Sequence, residues 1–216
     1  MTQLRAGKKT TGKRSIGVVL FDGFELLDVF GPLEMYGNAA DHFDICLLAE
    51  NDGSVTSRQG PRSVVDYTFS AAPQVDILFV PGGTGTRTEV SNQTLLNWLR
   101  VQSQRAEYVT SVCTGSALLA KADVLDGVRA TTNKLSFQWV TSQSSKVIWQ
   151  KQARWVEDGK FFTSSGVSAG IDMALAVIAK LVGQEMAEQA ADWAEYDWHR
   201  DASWDPFAKL HGLIEA

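Results

Sequence analysis

Short, nearly continuous apolar runs alternate along this chain with longer amphipathic segments. The runs are read as buried strands and the longer segments as helices that cover them, the rhythm of βα units around a mostly parallel sheet. Strands are expected at SIGVVLF (15–21), FDICLLAE (43–50), DILFVPGG (76–83) and AEYVTSV (106–112). Helices are expected at FELLDVFGPLEMYGNA (24–39), interrupted or kinked by Gly31-Pro32, at SNQTLLNWLRVQSQ (91–104) with Ser91 as N-cap, and at TGSALLAKADVL (114–125). SVTSRQGPRSVVDYTF (54–69) reads as an irregular hairpin bent at Gly60-Pro61, and a second hairpin is expected around Asp158-Gly159. RATT (129–132) precedes a helix near 135–142. The segment 161–183 reads as strand, small-residue loop and long helix, 184–199 as a closing helix, and 201–216 as a less regular tail packed on the domain.

With 216 residues, 44% of them hydrophobic and 21% charged, the chain can bury a core of its own, and neither a repeat nor an internal linker divides it. One domain over 15–200 is therefore expected. No apolar run is long enough to cross a bilayer, and the N-terminal stretch lacks the apolar middle of a secretion signal, so a cytoplasmic protein without membrane contact is expected. Residues 1–14 carry five Lys/Arg and no acid, which leaves 15 bases against 25 acids in the remainder. That acidic body would repel a phosphate backbone, so no nucleic acid is expected as a partner, and 1–14 is read as a disordered basic extension. Cys46 and Cys113 stand 67 positions apart with no CxxC and no histidine pair, which indicates free thiols and neither a disulfide nor a metal site.

Three places carry candidate chemistry. In YVTSVCTGSAL (108–118), Cys113 stands where a strand meets a helix. It reads either as a small hydrophobe filling the core or as a thiolate held at the positive end of a helix, with its pKa below the free value of roughly 8.5. Pro81-Gly82-Gly83-Thr84-Gly85 follows another strand, and reads either as a plain turn needing positive φ angles or as a loop whose N–H groups meet developing negative charge. Asp28, among Leu26, Leu27, Val29 and Phe30, is either a helix cap or a buried proton-transfer group. His42, His199 and His211 all lie outside 43–198, so a Cys-His dyad has no evident base.

The ordered motifs LLDVFGPLEMY, DILFVPGGTGT, SVCTGSALLAKADVLDGVRATTN and TSSGVSAGIDMAL resemble the ThiJ/PfpI superfamily and, within it, the isocyanide (isonitrile) hydratase branch, over about Ser15 to Tyr196. The resemblance implies a flavodoxin-like three-layer α/β sandwich with a mostly parallel central sheet, usually a homodimer, acting on a small molecule without a cofactor. It makes Cys113 the nucleophile on a strand-to-helix elbow and Asp28 the acid that hydrogen-bonds to it. Thr114 stands where protease-like members carry a histidine, and Asn133 near another such position, which counts against peptidase and glyoxalase activity. Relatives with the same motifs include ligand-sensing domains of transcription regulators, and no helix-turn-helix module is expected here after residue 200.

Hydration of an isocyanide expels no amine, so one carboxyl group that gives and takes a proton is sufficient. The expected path is attack by Cys113, protonation to a thioimidate, addition of water and release of an N-substituted formamide, with Asp28 as proton shuttle. Backbone N–H groups of Gly83 and Thr114 are the expected donors to transient negative charge, and the Thr114 hydroxyl a further contact to substrate. Asp172 is expected to serve structurally at the start of its helix. The competing expectations are glyoxalase-type or other thiol-dependent hydrolysis, and a cysteine redox sensor or chaperone-like dimer.

Overall fold

A computed structural model describes residues 12–215; most of the expected basic extension lies outside the described residues. In chain order the elements are β1 (Arg14–Val19), α1 (Leu26–Asn38), β2 (Phe43–Ala49), β3 (Ser54–Thr56), β4 (Arg62–Val64), β5 (Tyr67–Thr68), β6 (Ile77–Val80), α2 (Thr86–Glu89), α3 (Gln93–Arg105), β7 (Tyr108–Ser111), α4 (Gly115–Lys121), β8 (Arg129–Ala130), α5 (Phe137–Thr141), β9 (Ile148–Trp149), β10 (Trp155–Asp158), β11 (Phe161–Ser164), α6 (Ala169–Leu181), α7 (Gln184–Trp193) and α8 (Pro206–Leu210). Seven strands form one sheet in the order β10-β11-β7-β6-β1-β2-β5. All neighbours in it are parallel except β10 and β11, whose hairpin turns at Gly159 with φ +59°. The run β2-β1-β6-β7-β11 is the flavodoxin-like order, with its switch point between β1 and β6. Every residue of β6 is buried, as a strand covered on both faces requires. On one side α1, α6 and α7 pack together, and α2 and α3 pack against α4.

Register positions the site. Val80, Ser111 and Thr163 are partners across β6, β7 and β11, so the loops that follow these strands emerge side by side. Residues 81–85, 112–114 and 165–168 therefore meet at one edge, the carboxyl edge where open α/β sheets carry their chemistry.

Several expected elements come out differently. Pro32 does not interrupt α1, which runs unbroken from Leu26 to Asn38. Proline removes one donor, to the carbonyl of Asp28, and the helix absorbs this because it is clamped against α6: a Cβ on Gly31 would stand 2.8 Å from Ile171. That close crossing holds Asp28 in the buried layer. The cap of α3 is Asn92 rather than Ser91, its side chain accepting from the N–H groups of Thr94 and Leu95. The closing helix ends at Trp193 instead of reaching His199. Glu195, with φ 47°, turns the chain, and the Tyr196 hydroxyl and His199 N–H donate to Asp172 Oδ1 at 3.0 Å each. Tertiary bonds to a buried carboxylate outweigh another turn of helix.

Candidate active site

Cys113 sits on the corner between β7 and α4 with φ 56°, a left-handed conformation that non-glycine residues seldom adopt. The corner is braced on both sides of its peptide. Its N–H donates to the Ser165 carbonyl at 3.1 Å, and its carbonyl accepts from Thr132 Oγ1 at 2.8 Å and Ser116 Oγ at 3.2 Å. The residue is 6% exposed.

Asp28 comes to the cysteine from the first turn of α1 and is fully buried. The Glu25 N–H donates to the Gly82 carbonyl at 2.8 Å, which pins the start of α1 to the glycine turn. The Gly82 N–H in turn donates to Asp28 Oδ2 at 2.9 Å, while Oδ1 has no partner of hydrogen-bond geometry among the described residues. Burial, the largest influence, pushes the Asp28 carboxyl up to about 8; the Gly82 bond opposes the rise, the Glu25 charge adds to it and the Cys113 thiol opposes it. The site thus carries a neutral carboxylic acid at neutral pH.

The expectation of a low-pKa cysteine is reversed. Burial pushes the Cys113 thiol up and the Asp28 charge adds to the rise, against the N–H groups of Thr114 and Val167 that face the sulfur. The seven-residue α4 offers the sulfur a helix end, but desolvation outweighs it. The carboxyl, at about 8, is therefore the first of the two to release its proton, and the thiol holds its own more tightly.

The glycine turn also differs from expectation. The Gly83 N–H is not free to meet substrate charge, because it donates to Thr114 Oγ1 at 3.0 Å. For the same reason the Thr114 hydroxyl is not a free substrate contact: it lies 3.2 Å from the Gly83 carbonyl and 3.1 Å from Thr86 Oγ1. The hydroxyl ties the turn to the elbow, and the Thr114 backbone N–H faces the sulfur. Sequence reasoning missed two groups here. Val167, with φ 35°, supplies the second N–H to the sulfur; the small-residue loop after β11, beside β7, was its signal. Glu25, paired with Arg58 at 3.1 Å, adds negative charge near the pair, and no local signal distinguished it. Asp172 has its oxygens taken by Arg154, Tyr196 and the His199 N–H, which is a structural tether. Among the described residues no cluster of three or more His, Cys, Asp or Glu could hold a metal ion.

Gly82 cannot carry a side chain here. A Cβ would stand 2.5 Å from the Thr114 nitrogen and 2.9 Å from Asp28 Oδ2. Gly82→Ala is expected to destabilise by about 2 kcal/mol, read as a lower urea midpoint at unchanged slope, because the Asp28 carboxyl and the Thr114 nitrogen must both give way.

The model of the DJ-1/PfpI family matches residues 14–180. The chain belongs to the DJ-1/PfpI family. An isonitrile hydratase from Pseudomonas putida is 35% identical over 181 residues, which cover 84% of this chain and 78% of that one. The crystal structure of a ThiJ/PfpI family protein from Pseudomonas syringae aligns with a TM-score of 0.79 at 31% identity, covering 89% of this chain and 83% of that one. A relative of another kind is the HTH-type transcriptional regulator GbdR of Pseudomonas aeruginosa, 26% identical over 85% of this chain but only 51% of its own length. Family membership thus accounts for the sheet, while a hydratase and a transcriptional regulator are both similar to this chain. Among the described residues no helix is long and apolar enough to cross a membrane.

Proposed function

We propose that this DJ-1/PfpI chain hydrates isocyanides to N-substituted formamides through a covalent intermediate on Cys113. The observation that carries this reading is the buried Asp28–Cys113 pair, in which the groups acting on the sulfur are Asp28, Glu25 and two backbone N–H groups, with no histidine among them. Hydrolysis of an amide needs an acid that protonates a departing amine. Hydration of an isocyanide does not, and a single carboxyl group with a pKa of about 8 suits both directions of proton transfer. The similarity to an isonitrile hydratase supports the same reading.

The active form is the pair with one proton: the Asp28 carboxylate takes the proton of the Cys113 thiol as the sulfur attacks, so that the sulfur reacts as a thiolate and Asp28 then holds the proton. The thiolate forms a C–S bond to the terminal carbon, and that carbon takes the proton of Asp28, giving a thioimidate. Water then adds to the same carbon; the Asp28 carboxylate takes a proton from it and passes it to the nitrogen. The tetrahedral carbon collapses as its hydroxyl proton returns to Asp28, the C–S bond breaks, and the formamide leaves with the thiolate restored. The N–H groups of Thr114 and Val167 steady the sulfur's charge at the start and end of this cycle.

The reading includes a homodimer, with exposed Leu27 and Phe30 on α1 as the apolar surface it would cover, and no metal or cofactor. It is tested with purified protein and a simple aromatic isocyanide. Formamide is expected, with kcat/KM rising about tenfold per pH unit below a midpoint near 8 and level above it, because the singly protonated pair forms as pH increases. No formamide, with D-lactate formed from methylglyoxal instead, would replace this reading with the glyoxalase one.

A further inference from the structure

The C-terminal segment from Tyr196 to Leu213 is bound to the core by buried charge. Lys134 and Asp205 form an ion pair at 3.0 Å with both side chains only 1% exposed. Arg154 and Asp172 form a second buried pair, and the Arg154 guanidinium lies over the Trp204 ring at 5.2 Å, with His199 stacked on that ring. Buried ion pairs are costly to desolvate and can often be replaced by apolar side chains without loss of stability. Lys134 does something that an apolar side chain could not do. Besides pairing with Asp205, its Nζ donates to Thr131 Oγ1 at 2.6 Å, to the Ala153 carbonyl at 2.9 Å and to the Thr132 carbonyl at 3.2 Å.

Two continuous hydrogen-bonded lines run from this segment to the peptide of Cys113. In the first, Ala202 accepts from the Arg154 N–H at 2.7 Å, Arg154 accepts from the Ser165 N–H at 2.8 Å, and Ser165 accepts from the Cys113 N–H at 3.1 Å. In the second, Asp205 holds Lys134, Lys134 holds the Thr132 carbonyl, and the Thr132 hydroxyl holds the Cys113 carbonyl. The lines end on opposite sides of one residue, and that residue is in the left-handed region. Such a conformation persists where the surroundings over-determine it.

The geometry points to Lys134 as a positioning residue for the nucleophile: latched by Asp205, it carries the support of the C-terminal segment through Thr132 to the strained Cys113 elbow. The segment is then part of the active site's frame, although none of its side chains is assigned a contact with the sulfur. This deepens the hydratase reading and rests on it for the turnover measurement alone; reactivity of the thiol tests it independently.

The test compares full-length wild type with Lys134→Met/Asp205→Asn and with Thr132→Val. The double variant removes both charges together, so no charge is left buried alone, and the amide can still cap α8, where the native carboxylate accepts from the N–H groups of Phe207 and Ala208. Cys113 alkylation by iodoacetamide is followed from pH 6 to 10, beside isocyanide turnover and thermal melting. In a folded double variant the alkylation midpoint is expected to move up, with a rate at pH 8 and a kcat each about tenfold lower and KM within about twofold, because the elbow no longer aligns the sulfur with its N–H donors and Asp28. Thr132→Val cuts the second line next to the cysteine, and is expected to reproduce the shift should the double variant not fold. A variant that melts like wild type and keeps midpoint, rate and kcat within about twofold overturns the proposal. Faster alkylation overturns it too, since the segment would then be a cover rather than a support. Absence of isocyanide turnover in wild type fails the hydratase reading and leaves the alkylation comparison intact.

Discussion

Cys113→Ala is expected to lose formamide production by about 10⁴-fold or more while keeping the fold. The loss is large because the substrate carbon is held by the C–S bond through the middle of the proposed cycle, and no other group near Asp28 can take that place. Thr114 has a hydroxyl there, but it is engaged with Gly83 and Thr86. The fold survives because the elbow is held by its backbone, through Ser165 and Thr132, and not by the thiol. Alanine keeps the Cβ, and the void it leaves is that of one sulfur. Circular dichroism and the melting temperature should therefore match wild type closely, and mass spectrometry of wild type quenched during turnover should show the thioimidate adduct on the peptide bearing Cys113. A variant that still turns over would place the chemistry elsewhere.

The second large effect has two signs. Asp28→Asn is expected to lower kcat by about 10³-fold, since the amide neither gives nor takes the proton, and at the same time to make the protein more stable at pH 8. The carboxyl's folded-state value of about 8 lies far above the usual carboxylate range, so between about pH 4 and 8 the native state binds a proton that the unfolded state has released. Stability from this group is fully present at low pH and is lost as pH rises toward 8. The amide has no such loss. Its advantage over wild type therefore grows with pH, and urea melts at pH 5 and pH 8 should differ in that advantage by at least about 2 kcal/mol. Equal effects at the two pH values would mean that Asp28 is ionised at both. A residue that costs stability and supplies turnover is what a catalytic acid held in an apolar layer should be.

The C-terminal residues show how local reading fails. QEMAEQAADWAEYDWH has the composition of one helix, yet the chain leaves the helix after Trp193 because Asp172, buried in α6, accepts from Tyr196 and His199. Pro32 fails in the other direction. A proline in mid-helix predicts a break, and packing of Gly31 against Ile171 keeps the helix whole. The glycine turn follows β6 as its sequence suggests, but its bonds are to distant residues: Gly83 donates to Thr114, 31 positions later, and Gly82 to Asp28, 54 positions earlier.

What the sequence by itself determined was the alternation of strands and helices, the sharp corner at Cys113, the glycine turn after β6 and the four motifs whose order resembles the family. These depend on apolar period, on side-chain size and on turn chemistry, which are properties of neighbours in the chain. Tertiary structure alone decided that burial raises the Asp28 carboxyl to about 8, that burial and the Asp28 charge raise the Cys113 thiol, that Val167 supplies an N–H to the sulfur, and that Lys134 reaches the elbow. Proton affinity and hydrogen bonding in a buried site are balances between desolvation and particular partners, and those partners are set by which distant segments the sheet register brings to one edge.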